Sequence, residues 1–434
     1  MSATPPQKPD GEFERGRPWA WIAWILATAL FFHGFFQRVA PSIMIDDLMR
    51  EFAVSGVILG NLSAFYFYAY AGIQIPIGVL LDHWGPRRLL SAAAVVGAAG
   101  SFLFATADSL PQAYFGRLLI GAGAGVCFIS CLKITALWLP LRNFAFLTGL
   151  TMFVGMMGGI SGQGPLAAVV EFVGWRNAVI SAALFSLVCG VGIWLAAGAG
   201  DHSFRMSVRE RARSSSALGL LGGLRLVLAR PQTWLLAINL AAHGAPMLGF
   251  AGLWGVAYIM TKFGLDRTVA AFATSMVLVG WAFGGVAGGW ISDRIGRRKP
   301  TMVVAAIVLT MAWLVILFAP NLNATVVISL LLVNGLASGT MIVGFAAANE
   351  SAPVAAGGTV SGVVNCGIMS SGAIAQVLIG WLLDLRWDGR MENGVRLYSI
   401  EAFENAFIVF LACGLISLIT VVFIRETYAR RTVE

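Results

Sequence analysis

GVLLDHWGPRR, residues 78–88, and GWISDRIGRRK, residues 289–299, are two versions of one phrase. Gly78, Asp82 and Gly85 of the first return as Gly289, Asp293 and Gly296 of the second, each 211 positions later. His33 and His243 repeat at nearly the same interval, 210. A chain of 434 residues that repeats over about half its length is built from two related halves. Each phrase lies between long apolar runs, so the halves read as membrane bundles.

The composition agrees. Hydrophobic residues make up 58% of the chain and charged residues 12%, against about 25% charged in an ordinary soluble domain. Mean hydropathy is +0.81. The 51 glycines suit helices that approach closely in lipid. A spanning helix needs about 20 mostly apolar residues. Such runs fall near 20–45, 55–81, 88–107, 112–139, 144–171 and 176–198, then near 232–260, 267–291, 300–319, 323–349, 354–383 and 402–424. The expected fold is an all-α membrane protein of twelve spans in two pseudo-symmetric six-helix bundles.

The chain divides into a polar tail over 1–18, expected to be disordered, a first bundle over 19–198, a basic linker over 199–231, a second bundle over 232–427 and a short tail over 428–434. An amphipathic helix is expected in the linker from Leu218 to Leu228. No cleavable signal peptide is evident, because the first apolar run is too long for a signal core. With both termini in the cytosol, the inside segments carry 19 Lys and Arg and the outside loops 7. That bias favours an inner, or plasma, membrane protein with both termini cytosolic. It also accounts for the net charge of +8 without nucleic acid. The five cysteines lie in apolar runs and predict neither a disulfide framework nor a metal site.

The two phrases resemble the loop signature of the major facilitator superfamily, G-x-L-x-D-R-x-G-R-R after spans 2 and 8. The second copy is close to complete; in the first, His83 and Pro86 replace basic residues. Arg117, Gly121 and Gly123 on span 4 resemble the superfamily's R-x-x-x-G-x-G element, with Ile120 departing from the usual Gln. The resemblance covers residues 19–427 and implies a secondary transporter with no cofactor. The span-5 signature of the drug–proton antiporters is incomplete: Gly164 and Pro165 are present, but Ile160, Ala168 and Val169 fill other places. The resemblance also implies that Asp82 and Asp293, with Arg87, Arg88, Arg294, Arg297 and Arg298, act in gating. Topology anchoring is the simpler alternative. An aspartate at a helix end can pair with loop arginines and face a neighbouring helix N-terminus. Arg117 is expected to tune coupling.

Arg38 is the central residue of the spans. It lies ten residues before Leu48, about 15 Å from the outer end at 1.5 Å per residue. An arginine at mid-span costs about 2.5–3.5 kcal/mol on insertion scales, so it normally faces a cavity, a partner charge or an anion. The alternative is outward snorkelling. The spacing of Arg38 and Leu48 resembles the organic-anion and organophosphate branch of the superfamily. The phosphate carriers of that branch add two further cations, where this chain has the neutral Gln74 and Leu248. One fixed cation suits a carboxylate better than a phosphate ester.

On span 2, Ser63, Tyr66, Tyr70 and Gln74 recur at three- and four-residue steps and share a face. Tyr66, Tyr70 and Gln74 are expected in the substrate site with Arg38. Lys133 on span 4, His243 and Trp254 on span 7 and Asn365 on span 11 are further candidates; Gln163 and Gln376 add polar groups on spans 5 and 11. No Asp or Glu lies near mid-span; Asp82, Asp293, Glu171 and Glu350 are near ends. The interior is therefore positive and disfavours a free cation as cargo. His33 and His243 are the groups that could carry a proton near neutral pH, against the plainer reading of neutral packing residues.

The expected function is secondary active transport of a small organic anion by alternating access, as a proton symporter or an anion exchanger. The expected partners are an anionic or zwitterionic substrate, the bilayer and protons, and the working unit is a monomer. An amino-acid or small-peptide transporter is the alternative within the fold, and a non-transporting membrane sensor the alternative outside it. An enzyme is not expected, since there is no nucleotide-binding loop, metal-ligand cluster or nucleophile–base pair.

Overall fold

The computed structural model describes residues 17–74, 76–199, 220–353 and 356–430. The N-terminal tail to residue 16, linker residues 200–219 and the side chain of Asp82 lie outside the described residues. Eleven helices among the described residues are long and apolar enough to cross a membrane, and a bent pair makes twelve. Spans 1 to 6 are Pro18–Ile43, Gly56–Gln74, His83–Ala105, Leu110–Trp138, the bent pair Phe146–Ser161 with Gly164–Val173, and Trp175–Ala196. Spans 7 to 12 are Pro231–Phe263, Arg267–Ile295, Lys299–Phe318, Ala324–Glu350, Gly357–Leu385 and Ile400–Phe423. In the linker the helix covers Leu220–Leu228.

The repeated phrase has a backbone reason. Gly85 and Gly296 both hold positive φ, 76° and 69°, a region that suits glycine. Each therefore stops its helix and lets the next one leave at a new angle. Both phrases lie at the end of the molecule that also carries the linker. The opposite end carries a short helix, Ile45–Phe52, and a two-strand hairpin, Met391–Glu392 paired antiparallel with Val395–Arg396. These are called the linker end and the hairpin end.

Several spans are not the continuous helices expected. Span 5 breaks at Gly162 and Gln163 and bends by 44° before Gly164–Pro165 restarts it. Span 10 is interrupted at Thr340, between Ala324–Gly339 and Met341–Glu350. Span 7 contains Pro246 and a π turn over Phe250–Trp254. Proline removes an amide donor, and a π turn inserts an extra residue, so carbonyls are freed at both. Span 1 ends in a 3-10 turn, Ala40–Ile43, so Leu48 lies on the separate short helix. Arg38 is thus five residues from the end of its span, nearer that end than the sequence spacing implies.

The two halves meet along two seams. Span 2 lies against span 11, and span 5 against span 8. At the first seam a Cβ on Gly60 would come within 2.4 Å of the Gln376 carbonyl oxygen, and one on Gly380 within 2.3 Å of that of Gly56. Only glycine admits backbones this close. The core of the second half is aromatic: Phe250, Tyr258, Trp313, Phe403, Phe407 and Phe410 meet edge-on or tilted around spans 7, 9 and 12.

Candidate substrate site

Arg38 is buried, 5% exposed, and points to the plane where the halves meet. Side chains lean toward the N-terminus of their helix, which carries this guanidinium back from the end of span 1 toward mid-depth. There it faces a cavity of about 10 Å³ lined by Phe35, Met156, Met247, Gly252 and Leu278, from spans 1, 5, 7 and 8. That volume is room for about one water, so the site is closed in this structure.

Aromatic faces surround the cation. The guanidinium carbon is 4.2 Å from the centre of the Phe35 ring, 5.2 Å from Tyr70 and 5.8 Å from Tyr66. Such contacts stabilise a desolvated cation by about 2 kcal/mol or more. Arg38 Nε is buried without a hydrogen-bond partner. No carboxylate among the described residues pairs with it. The outward, lipid-facing alternative is thereby corrected: the side chain turns inward.

Arg117 also lies near the Tyr66 ring, 5.3 Å from its centre and 1% exposed. It donates to the carbonyls of Gln37 at 2.9 Å and Ser63 at 3.4 Å. Tyr66 donates its own hydroxyl to the Gly34 carbonyl at 2.9 Å. Spans 1, 2 and 4 are tied together by this stack, and it carries two positive charges inside the first half.

The other predicted residues are distributed more widely. Gln74 lies farther along span 2, donating to the Gly125 carbonyl at 3.2 Å. Lys133 is half-buried on span 4 and Asn365 half-buried on span 11. His243 does not reach the Arg38 cavity. It turns to span 12, where Nε2 lies 2.8 Å from Ser417 Oγ, beside Asn239, which donates to Ser417 and Thr420. Trp254 is also absent from the cavity and donates to the Gln376 carbonyl at 3.0 Å. The extra residue of the π turn rotates the part of span 7 that follows it; His243 precedes the turn, and its partner on span 12 holds it there. His33 faces span 6, near the ring of Phe185 at 5.7 Å.

The gating candidates lie at the linker end. Arg298 is buried and bonds Asp293 and, at 2.6 Å, Glu350. Glu426 accepts from the backbone N–H groups of Arg298 and Lys299, closing the start of span 9. These contacts all fall within the second half. Arg294 lies over Trp290 and Arg297 over Tyr428. In the first half Arg87 donates to the Trp194 carbonyl at 2.8 Å, and Arg88 is exposed. Among the described residues no group of three His, Cys, Asp or Glu is placed to hold a metal ion.

The sequence underrated two glutamines. The π turn frees carbonyls, and side chains take them: Gln376 donates to Leu248 at 2.9 Å, and Gln163 reaches across from the break in span 5 to Ala251. A Gln next to a Gly-Pro break was the available signal. Glu350, an acid at the end of span 10, and Glu426, an acid beside Arg425, carried weaker ones.

The Major Facilitator Superfamily model matches residues 26–254 and 242–434. A probable sulfoacetate transporter of Cupriavidus necator is 24% identical over 82% of this chain and 85% of its own. A probable galactarate/D-glucarate transporter of Escherichia coli is 24% identical over 87% of this chain and 88% of its own. Among solved structures, an inward-facing, occupied bacterial homologue of the human lysosomal transporter Spinster superposes with TM-score 0.71 at 16% identity, covering 94% of this chain and 97% of its own. A D-xylose–proton symporter gives TM-score 0.68 at 16% identity, with 94% and 99% covered. The structural likenesses establish the fold.

Proposed function

This chain belongs to the major facilitator superfamily, and from that premise we infer that it carries a small organic anion, held by a carboxylate, through alternating access. The observation that carries this reading is the guanidinium of Arg38. It is buried between the halves, ringed by aromatic faces and without an acidic partner among the described residues. A cation in that setting attracts an anion more strongly than it would in water, because the local dielectric is low. Two relatives are named for sulfoacetate and for galactarate and glucarate, which are organic anions.

The cavity is too small for such a ligand as it stands, so binding requires the halves to separate at one end. An anion reaching Arg38 neutralises a charge that would otherwise be enclosed alone. Closure around the loaded site then costs less than closure around the empty one, which couples movement to occupancy. Tyr70 borders the guanidinium and offers a hydroxyl; Gln74 and Lys133 lie along the route toward the linker end. The count of basic residues puts that end in the cytosol of a cell whose inner membrane holds the protein. Either a co-transported proton or a counter-moving anion completes the cycle.

The test is a thermal-shift screen of purified protein with carboxylates, amino acids, peptides and phosphate esters, followed by uptake into liposomes. Carboxylates should stabilise the wild type and leave Arg38→Ala unshifted. A stabilising carboxylate that acts equally on Arg38→Ala overturns the reading. Preference for zwitterions would favour an amino acid or peptide as cargo.

A further inference from the structure

The hairpin end is fastened at two places, and the two are copies of each other. At the first seam Asp384, at the end of span 11, accepts hydrogen bonds from the backbone N–H groups of Gly56 at 3.0 Å and Val57 at 2.8 Å. These amides open span 2, in the other half, and would otherwise have no acceptor within their helix. At the second seam Glu171, near the end of span 5, accepts from Thr268 Oγ1 at 3.1 Å. Thr268 opens span 8, again in the other half. Val57 and Thr268 are 211 positions apart, as the repeated phrases are, and Glu171 and Asp384 are 213 apart. Gln163 and Gln376 share that second interval. Span 5 thus uses the same position toward span 8 that span 11 uses toward span 2.

We propose that Asp384 and Glu171 are the paired latches of the gate at the hairpin end, positioning residues for the transport cycle that never touch cargo. Asp384 sets a negative charge on the amides that open span 2. Glu171 sets one beside the Thr268 hydroxyl in the first turn of span 8, where Asp266 already caps the amide of Val269. Each attraction exists only while its seam is shut. The two are unequal. Asp384 also accepts from Tyr398 at 2.6 Å and pairs with Arg396 at 3.3 Å, which hold its carboxylate in place. Its seam is closed by Gly60 and Gly380, backbone on backbone. At the Glu171 seam the corresponding positions are Ala271 and Ala167, and Glu171 itself is exposed, where such contacts contribute little. Arg267 adds a bond to Asp47 on this side, at 2.8 Å. Asp384 is therefore the dominant latch and Glu171 the weaker one. The inference does not depend on which anion is carried.

Distances between spin labels at Asp108→Cys and Met391→Cys test it. Both sites are exposed, on opposite halves of the hairpin end. The partly exposed Cys366 and Cys413 are changed to Ser in the full-length background. Asp384→Ala should raise the ratio of long to short distances about tenfold, the loss expected for one or two charge-assisted hydrogen bonds. Glu171→Ala should raise it less, the double variant more than either, and Asp384→Glu should restore the short distance. Glu171 is exposed and its variant should fold as the wild type does, so a folding failure of Asp384→Ala leaves the weaker latch and the Asp384→Glu variant to be read. Folded variants that keep the wild-type distances, or a Glu171→Ala effect larger than that of Asp384→Ala, overturn the proposal.

Discussion

The guanidinium of Arg38 stands 5.2 Å from the centre of the Tyr70 ring, where the two halves of the molecule face each other. This pairing makes the site cationic without a compensating acid among the described residues. Loss of the cation by Arg38→Ala should weaken binding of a stabilising carboxylate about 10- to 100-fold, from about 1.5–3 kcal/mol for a hydrogen bond to a charged group. Calorimetric titration checks it. Arg38→Lys keeps the charge but not the planar fork and should fall between the two.

Tyr66→Phe removes the donor to the Gly34 carbonyl while keeping the ring that both Arg38 and Arg117 approach. Stability should drop by about 1 kcal/mol, the usual net value of one hydrogen bond, with binding of the anion nearly unchanged. Thermal unfolding followed by titration separates these effects. Tyr66→Ala, which removes the ring as well, should lose both.

Two glycines of span 2 should respond in opposite directions. Gly60→Ala drives a Cβ against the Gln376 carbonyl and should destabilise the closed seam by about 1–3 kcal/mol, as overpacking does. Gly72→Ala meets nothing within 4 Å and should be neutral or stabilising by about 0.5–1 kcal/mol. Melting temperatures of the two variants, measured side by side, check this.

Gln376→Leu leaves the Leu248 carbonyl without its side-chain donor beside the π turn. An unmet buried acceptor costs about 1–3 kcal/mol. The melting temperature should fall accordingly, and hydrogen exchange should rise in peptides covering residues 244–256.

Asp46 gives a pH signature. It lies in the short helix after span 1, where burial pushes its carboxyl above the ordinary range and Asp47 adds to the effect, against Arg267 and Arg50. A carboxyl raised on folding binds its proton more tightly in the folded state. The folded protein is therefore favoured at low pH and loses stability as pH rises through the raised value. Asp46→Asn should melt higher than the wild type at neutral pH, and the gap should close as pH falls toward the unfolded carboxyl range, near pH 4. A gap that widens on acidification contradicts this assignment.

The membrane class and the two-half plan were legible in the sequence. They follow from bulk hydropathy and from a phrase repeated 211 positions apart. Two misplacements share one cause. Helical phase was assumed to run unbroken, and it does not where Pro41, Gly162 or the turn at Phe250–Trp254 intervenes. Trp254 therefore turns away from the cavity. Arg38 proved closer to its helix end for the same reason. His243 precedes the turn and faces span 12 because Ser417 offers it a polar partner there. Asp384 had no periodic signal because its partners are backbone amides, which every residue type but proline supplies.

The bare contact of Gly60 and Gly380 with the opposing main chain bears on what the membrane does not lose. Backbone meets backbone at those two points, so a side-chain rotation alone opens little of the barrier to a file of water. Separation of spans 2 and 11 is an all-or-nothing step. A carrier sealed in this way holds back the proton leak that would otherwise drain the cell's electrochemical gradient while it waits for its cargo.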